Sequence, residues 1–188
     1  MTFYAIRKDI PDYQVLDLDL LDVTRNLPDG IDLDSVYDFS QLNTSMASWW
    51  NTPETQYIST GSAKAQIPDI SCWIDATLVL SPKAHRLLKD SLEAYGEFLP
   101  VEVKGELHYI FNCFAVGKPD EEKSVFNQEE GMEGGLKHLE LDSSASTLLV
   151  FKVQLENSLT LFCSDRFKEV VESFGLHGIY FDEKLVIL

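Results

Sequence analysis

One pattern occurs twice in this chain: an apolar strand ending in Ser, a short amphipathic helix opened by that Ser, a Gly stop and a second apolar strand. The first copy runs through Leu78-Val79-Leu80, Ser81-Pro82, a helix to Tyr95-Gly96, and Phe98-Leu99-Pro100-Val101-Glu102-Val103. The second runs through Leu159-Thr160-Leu161-Phe162-Cys163, Ser164-Asp165, a helix to Phe174-Gly175, and Gly178-Ile179-Tyr180-Phe181. Helical spacing puts Ala84, Leu87, Leu88, Leu92 and Tyr95 on one stripe of the first helix, and Phe167, Val170, Val171 and Phe174 on one stripe of the second. Ser81 and Ser164 stand where N-caps are expected, and Pro82 suits a first helical position. Asp165 favours the positive end of its helix. Gly96 and Gly175 stand where left-handed stops are expected. The pattern predicts an α+β protein with mixed or antiparallel sheets, built on two strand–helix–strand units. Neither unit has a reactive group built into it.

The flanking segments fit around this frame. Residues 3–6 and 13–16 read as short strands separated by a Pro11-Asp12 turn. Asp17, Asp19 and Asp22, then Pro28-Asp29-Gly30 with Asp32 and Asp34, read as a solvated acidic face with Leu18, Leu20 and Leu21 packing among the acids. Residues 40–66 are polar and irregular, long enough that short helical or strand pieces are expected within them. Pro100 implies a strand start or a sheet edge, because Pro donates no backbone hydrogen bond. Leu107 to Val116 reads as a central strand. Thr147–Leu155 and Leu159–Cys163 pair as a hairpin, and 178–182 and 184–188 close the fold. The expected organisation is a small N-terminal acidic lobe over residues 1–45 and a main α+β domain over residues 46–188.

Charge narrows the partners. The chain has 188 residues and a formal net charge of −16. An acidic surface repels phosphate backbones and anionic lipid, so nucleic acid and membrane are excluded as partners and a basic protein is favoured. The N-terminal residues show no leader pattern, and Cys72, Cys113 and Cys163 are dispersed in apolar surroundings. Together these point to a reducing cytoplasm.

Catalytic and metal patterns are missing from the sequence. His85, His108, His138 and His177 have no ligand spacing, and the aspartates at 29–34 lack calcium-loop order. Ser59-Thr60-Gly61-Ser62 has no phosphate-loop lysine, and no serine sits in a nucleophile elbow. The expectation is therefore no catalytic residue, no metal and no cofactor. Candidate partner-binding residues are the adjacent Trp49 and Trp50, and the acids of the polar insertion: Asp120, Glu121, Glu122, Glu129, Glu130 and Glu133. Adjacent tryptophans on an extended segment point to opposite sides, which leaves one free as an interface anchor. The acids would steer a basic partner.

Several segments, taken in order, carry a resemblance. They are Ile67-Pro68-Asp69-Ile70, Leu78-Val79-Leu80-Ser81, Phe98-Leu99-Pro100-Val101-Glu102-Val103, Tyr109-Ile110-Phe111-Asn112-Cys113, Asp120-Glu121-Glu122-Lys123-Ser124-Val125-Phe126, Phe151-Lys152-Val153, Ser164-Asp165-Arg166-Phe167-Lys168 and Gly178-Ile179-Tyr180-Phe181. Over about residues 45–182 the chain resembles the bacterial polymorphic-toxin immunity proteins of family eleven, formerly a domain of unknown function. It departs from that pattern at Ala115-Val116-Gly117-Lys118-Pro119. The resemblance implies a cytoplasmic protein that binds and neutralises a cognate toxin, as a monomer or homodimer. It brings no catalytic residues. Two other readings stand beside it: a small-ligand or hydrolytic domain with a pocket between lobe and main domain, and a dimeric adaptor.

Overall fold

Side-chain alternation decides which strands are buried on both faces, and those strands organise everything else. In the stretch Thr77–Leu80 every residue is buried: Leu78 and Leu80 face one core while Val79 faces another. Near the chain start, Tyr4 and Ile6 face the first of these cores and Ala5 a third. The computed structural model describes residues 2–9, 12–25, 27–61, 65–126, 136–153 and 160–186.

The strands are β1 (Phe3–Lys8), β2 (Val15–Leu16), β3 (Glu54–Thr55), β4 (Tyr57–Ile58), β5 (Ile70–Cys72), β6 (Thr77–Leu80), β7 (Gly96–Val103), β8 (Glu106–Cys113), β9 (Val116–Gly117), β10 (Val125–Phe126), β11 (Leu136–His138), β12 (Val150–Val153), β13 (Leu161–Ser164) and β14 (Ile179–Asp182). The helices are α1 (Leu20–Thr24), α2 (Leu33–Tyr37), α3 (Phe39–Leu42), α4 (Pro82–Leu92) and α5 (Asp165–Ser173). Two five-stranded sheets dominate, in the orders β3-β7-β8-β6-β5 and β14-β1-β13-β12-β9. The fold is α+β with several mixed and antiparallel sheets, as the sequence predicts.

The two sheets are built alike. In the first, β6 and β7 both run antiparallel to β8, which lies between them, and α4 connects them. In the second, β13 and β14 both run antiparallel to β1, and α5 connects them. An antiparallel neighbour, β5 or β12, flanks each unit on the same side. The difference lies in connectivity. The first unit receives its central strand from the segment that follows it, whereas the second receives it from the beginning of the chain.

That placement corrects the expected division at 45/46. Residues 3–8 lie in the middle of the C-terminal sheet, so they do not belong to an N-terminal lobe. The rest of the segment is a layer over the first sheet: Leu16, Leu18, Leu20, Val23, Val36, Phe39, Met46, Trp49 and Tyr57 pack with Val79, Leu99, Val101 and Ile110. β2 pairs with β4, and Tyr13 bridges to Gln66, so pairing crosses the predicted boundary twice more.

The helical faces follow the predicted stripes except at Phe174, which ends α5 exposed to solvent. Ala84, Leu88 and Leu92 of α4 and Phe167 and Val171 of α5 enter one shared core with Leu78, Leu80, Phe111, Leu161 and Cys163. The Ser81 hydroxyl accepts from the Ala84 amide at 3.1 Å, a working cap. Ser164 holds the cap position without capping, since its hydroxyl donates to the Leu149 carbonyl at 3.5 Å instead. Gly175 is left-handed at φ +58°, as expected. Gly96 is not a helical stop: it starts β7, and a Cβ there would overlap the Asn112 carbonyl oxygen and the Phe111 ring. Close strand approach, not a turn, selects glycine.

Pro100 sits inside β7 opposite Tyr109. Its side of β7 faces away from β8: two residues on, the Glu102 amide donates outward to Pro53. β3 pairs only at Glu102 and Val103, so the missing Pro100 N–H falls on a stretch of β7 with no strand beside it. The Pro100 carbonyl accepts from the Trp50 indole at 2.7 Å.

The two sheets meet at Asp69. Its amide and that of Ile70 donate to the His177 carbonyl at 2.8 and 3.0 Å, and its carbonyl accepts from Ser81. Its carboxylate accepts from Lys83 at 3.1 Å and from the His177 amide at 3.3 Å. Gly178, at φ +117°, lets the backbone pass against Ile70 and Pro68 where any Cβ would overlap.

Two outcomes follow. Removing residues 1–8 leaves β13 and β14 without their shared neighbour, and chemical denaturation of that truncated chain is expected to show no cooperative transition. A truncated chain with a wild-type midpoint would mean that β1 is dispensable. Gly96→Ala is expected to lower stability by about 1–3 kcal/mol, because the added methyl meets backbone that cannot step aside. An unchanged midpoint would refute the close-approach explanation.

Candidate functional site

The expected interface residues are placed in three different ways. Glu129, Glu130 and Glu133 lie outside the described residues. Asp120 is used by its own turn: its carboxylate accepts from Lys123 at 2.6 Å and from the Glu122 amide at 3.2 Å. The hydrogen bond and charge of Lys123 hold the Asp120 carboxyl below the usual carboxylate range. Glu121 and Glu122 are exposed. A hollow of about 750 Å³ opens beside them, lined by Lys118, Asp120, Glu121, Lys123 and Asp142 among others. Two lysines against three carboxylates leave this surface weakly charged. Of the acids expected to steer a partner here, Asp120 is paired with Lys123.

Trp49 and Trp50 are structural. The segment 47–49 is a turn, not an extended strand, so the two rings do not point to opposite sides. Their centroids lie 6.2 Å apart, and Trp50 packs edge-on to Trp73 at 6.2 Å. Trp49 is buried, and the indole N–H of Trp50 is taken by Pro100. Glu97 fixes the turn: its carboxylate accepts from the Ser45 hydroxyl at 2.6 Å, the Met46 amide at 2.8 Å and Asn112 at 2.9 Å. Both indoles seal the layer to the first sheet. Neither is free as an interface anchor.

The largest set of described carboxylates lies elsewhere. Between residues 9 and 63 the sequence has ten acids and one base, Arg25, which accounts for nine of the sixteen net negative charges. Asp17, Asp19, Asp22, Asp29, Asp32, Asp34 and Asp38 are all exposed on or beside α1, α2 and α3. Asp19 caps α1 and Asp32 caps α2. Asp22 pairs with Arg25 at 2.9 Å. Among the described residues, Asp17, Asp29, Asp34 and Asp38 have no ion pair.

Groups that could do chemistry are buried or engaged. Burial pushes the Cys72 thiol up to about 11 and Cys113 up to about 12, and raises Cys163 as well. Such thiols are not activated nucleophiles. His85 stacks on Tyr109 at 3.6 Å, and burial with the Lys89 charge lowers its proton affinity. Lys152 is 5% exposed, and its ammonium donates to the Ser40 carbonyl. Burial lowers its proton affinity, while burial raises that of nearby Asp75 despite the lysine. Among the described residues no three His, Cys, Asp or Glu side chains converge as metal ligands. No described helix is long and apolar enough to cross a membrane.

A hollow of about 520 Å³ does open between the N-terminal layer and the first sheet, lined by Val15, Leu16, Leu18, Trp73, Lys8 and Asp19 among others. The Lys8 amine there donates to the Trp73 carbonyl at 3.1 Å. Neither His108 nor His177 lines it.

His108 packs edge-on against Tyr57 at 5.7 Å, and its Nδ1 has no hydrogen-bond partner. Burial, the dominant cause, lowers its pKa below the ordinary 6.5. No family model matches this chain, and no curated protein matches it.

The buried imidazole generates a pH dependence. Below about pH 6.5 the unfolded chain binds a proton that folded His108 refuses, so its contribution favours folding above that pH and is lost as pH falls toward the depressed value. His108→Phe is expected to flatten the fall in stability as pH drops below about 6.5, read by urea denaturation at a series of pH values. Identical pH profiles for both proteins would remove His108 as the cause.

Proposed function

We propose that this protein binds and neutralises a basic protein toxin in the cytoplasm, and that it does so by contact rather than by chemistry. The observation that carries the reading is the separation of charge from scaffold. Seven exposed aspartates against one arginine sit on one outward layer, while the Cys113 and Cys163 thiols and the imidazoles of His85 and His108 are buried or stacked. An inhibitor of this kind needs a rigid frame and a charge field opposite to its target. The resemblance to the family-eleven immunity proteins points the same way.

The reading has a direct test. The reading expects a toxin gene immediately upstream of this one, co-expression with its toxin domain to restore growth, and the purified pair to elute together. Their affinity is expected to fall between about 0.1 M and 1 M salt, as the screening length shrinks from about 10 Å to about 3 Å. Growth arrest that continues in the presence of this chain would overturn the reading. Turnover of a metabolite, abolished by one substitution in a cleft, would do so too.

A further inference from the structure

We propose that the contact surface is the outward face of α1, α2 and α3, and that its occupant is a basic, amphipathic segment of the partner protein. The inference rests on the toxin-binding reading and gives it a location.

The three helices are short, with five, five and four residues. Isolated helices of that length do not hold in water, so their inward residues must hold them. Leu20 and Val23 of α1, Val36 of α2 and Phe39 of α3 do this from the second core. The outward positions are then free of any folding duty. Four of them nonetheless carry large apolar side chains: Leu21 is 57% exposed, Leu33 51%, Tyr37 42% and Leu42 58%. Scattered exposed apolar residues are ordinary, but these four stand on three helices that pack on one another in sequence.

Helical spacing arranges them. Leu33 and Tyr37, four apart, form one stripe. The amides of Asp38 and Leu42 donate to the carbonyls of Asp34 and Asp38, so the helical path runs through the joint between α2 and α3. Asp34, Asp38 and Leu42 therefore form the adjoining stripe. Apolar anchors and carboxylates alternate across one face.

Charge decides what can cover it. Asp34 and Asp38 lack an ion-pair partner among the described residues, and Arg25 of the same layer is engaged by Asp22. Nucleic acid and anionic lipid would be repelled. A second copy of this chain would bring the same carboxylates face to face, which costs several kcal/mol at an interface. A protein segment with Lys or Arg around apolar side chains matches both the anchors and the field. The surface around Asp120, by contrast, supplies its own lysines.

The test uses the full-length chain, isotope-labelled, titrated with a synthetic helical Lys/Leu peptide and with a Lys/Ser peptide of equal charge. The Lys/Leu peptide is expected to shift amide resonances within residues 17–42 and to bind more tightly than the control. The double variant Leu33→Ser/Tyr37→Ser, altered only at exposed positions, is expected to weaken binding about tenfold, while Glu121→Lys/Glu122→Lys changes it less than about twofold. A dispersed amide spectrum confirms that each variant is folded. Equal binding of the two peptides, resonance shifts centred outside 17–42, or a dimer that Tyr37→Ser dissolves would each overturn the proposal. In the co-expression assay, full protection by the Leu33/Tyr37 variant sinks this surface and leaves the toxin-binding reading standing. Failure of the wild-type chain to protect sinks the reading, and the peptide titration still decides the surface.

Discussion

The placement of β1 between β13 and β14 is the constraint on which the rest of the fold depends. It closes the second unit with a strand from the opposite end of the chain, with backbone partners Phe3 to Ser164 on one side and Lys8 to Ile179 on the other. It also feeds two cores at once, through Tyr4 and Ile6 on one face and Ala5 on the other. Such a contact spans nearly the whole sequence, so its loop-closure entropy must be met before its hydrogen bonds form. Without it, α5 would lie over two strands that do not touch. With it, the two units become equivalent and can share one core between their helices.

The junction and the layer are then fixed by polar groups aimed at backbone. Asp69 binds the two units through four hydrogen bonds to His177, Ser81 and Lys83, with a fifth from the Ile70 amide beside it. The outer layer is held at spaced points: the Trp73 indole on the Leu18 carbonyl at 2.7 Å, Asn112 on Thr44 at 3.2 Å, and Lys152 on Ser40. Glu97 holds the turn that presents Trp49. These carboxylates and amides are counted in the composition but are consumed by the fold. The charge available to a partner is what remains after subtracting them, and Asp17, Asp29, Asp34 and Asp38 of the helical layer belong to that remainder.

That subtraction explains which features the sequence makes legible. The two units, the Ser81 cap, the Gly175 stop, the β12–β13 pairing and the central position of β8 all follow from local periodicity and turn chemistry, which a single chain displays directly. Gly96, Pro100 and Ser164 were assigned by local rules, yet their roles depend on strands and carbonyls distant in sequence. The N-terminal lobe fails for the same reason: nothing in residues 3–8 announces that the partners lie beyond residue 160. Trp49 and Trp50 look available because their segment has no period, while their burial depends on Leu99, Val101 and Trp73. Helices of four or five residues are too short for an amphipathic signal, so the face they form is invisible to periodicity.

A layer of this kind has a specific advantage as a contact surface. Short helices usually fray, and a frayed surface loses conformational entropy when a partner orders it. Here the inward residues are locked by Trp49, Trp73 and the first sheet, and the caps at Asp19 and Asp32 satisfy the exposed amide ends. The outward leucines, the tyrosine and the carboxylates are thus held in place before any encounter. Their apolar area stays in water in the free protein, a cost that the fold has no reason to carry for its own stability. The same area, surrounded by unpaired negative charge, becomes favourable only when something positive and apolar covers it. Stability and recognition are therefore divided between the two sides of the same three helices.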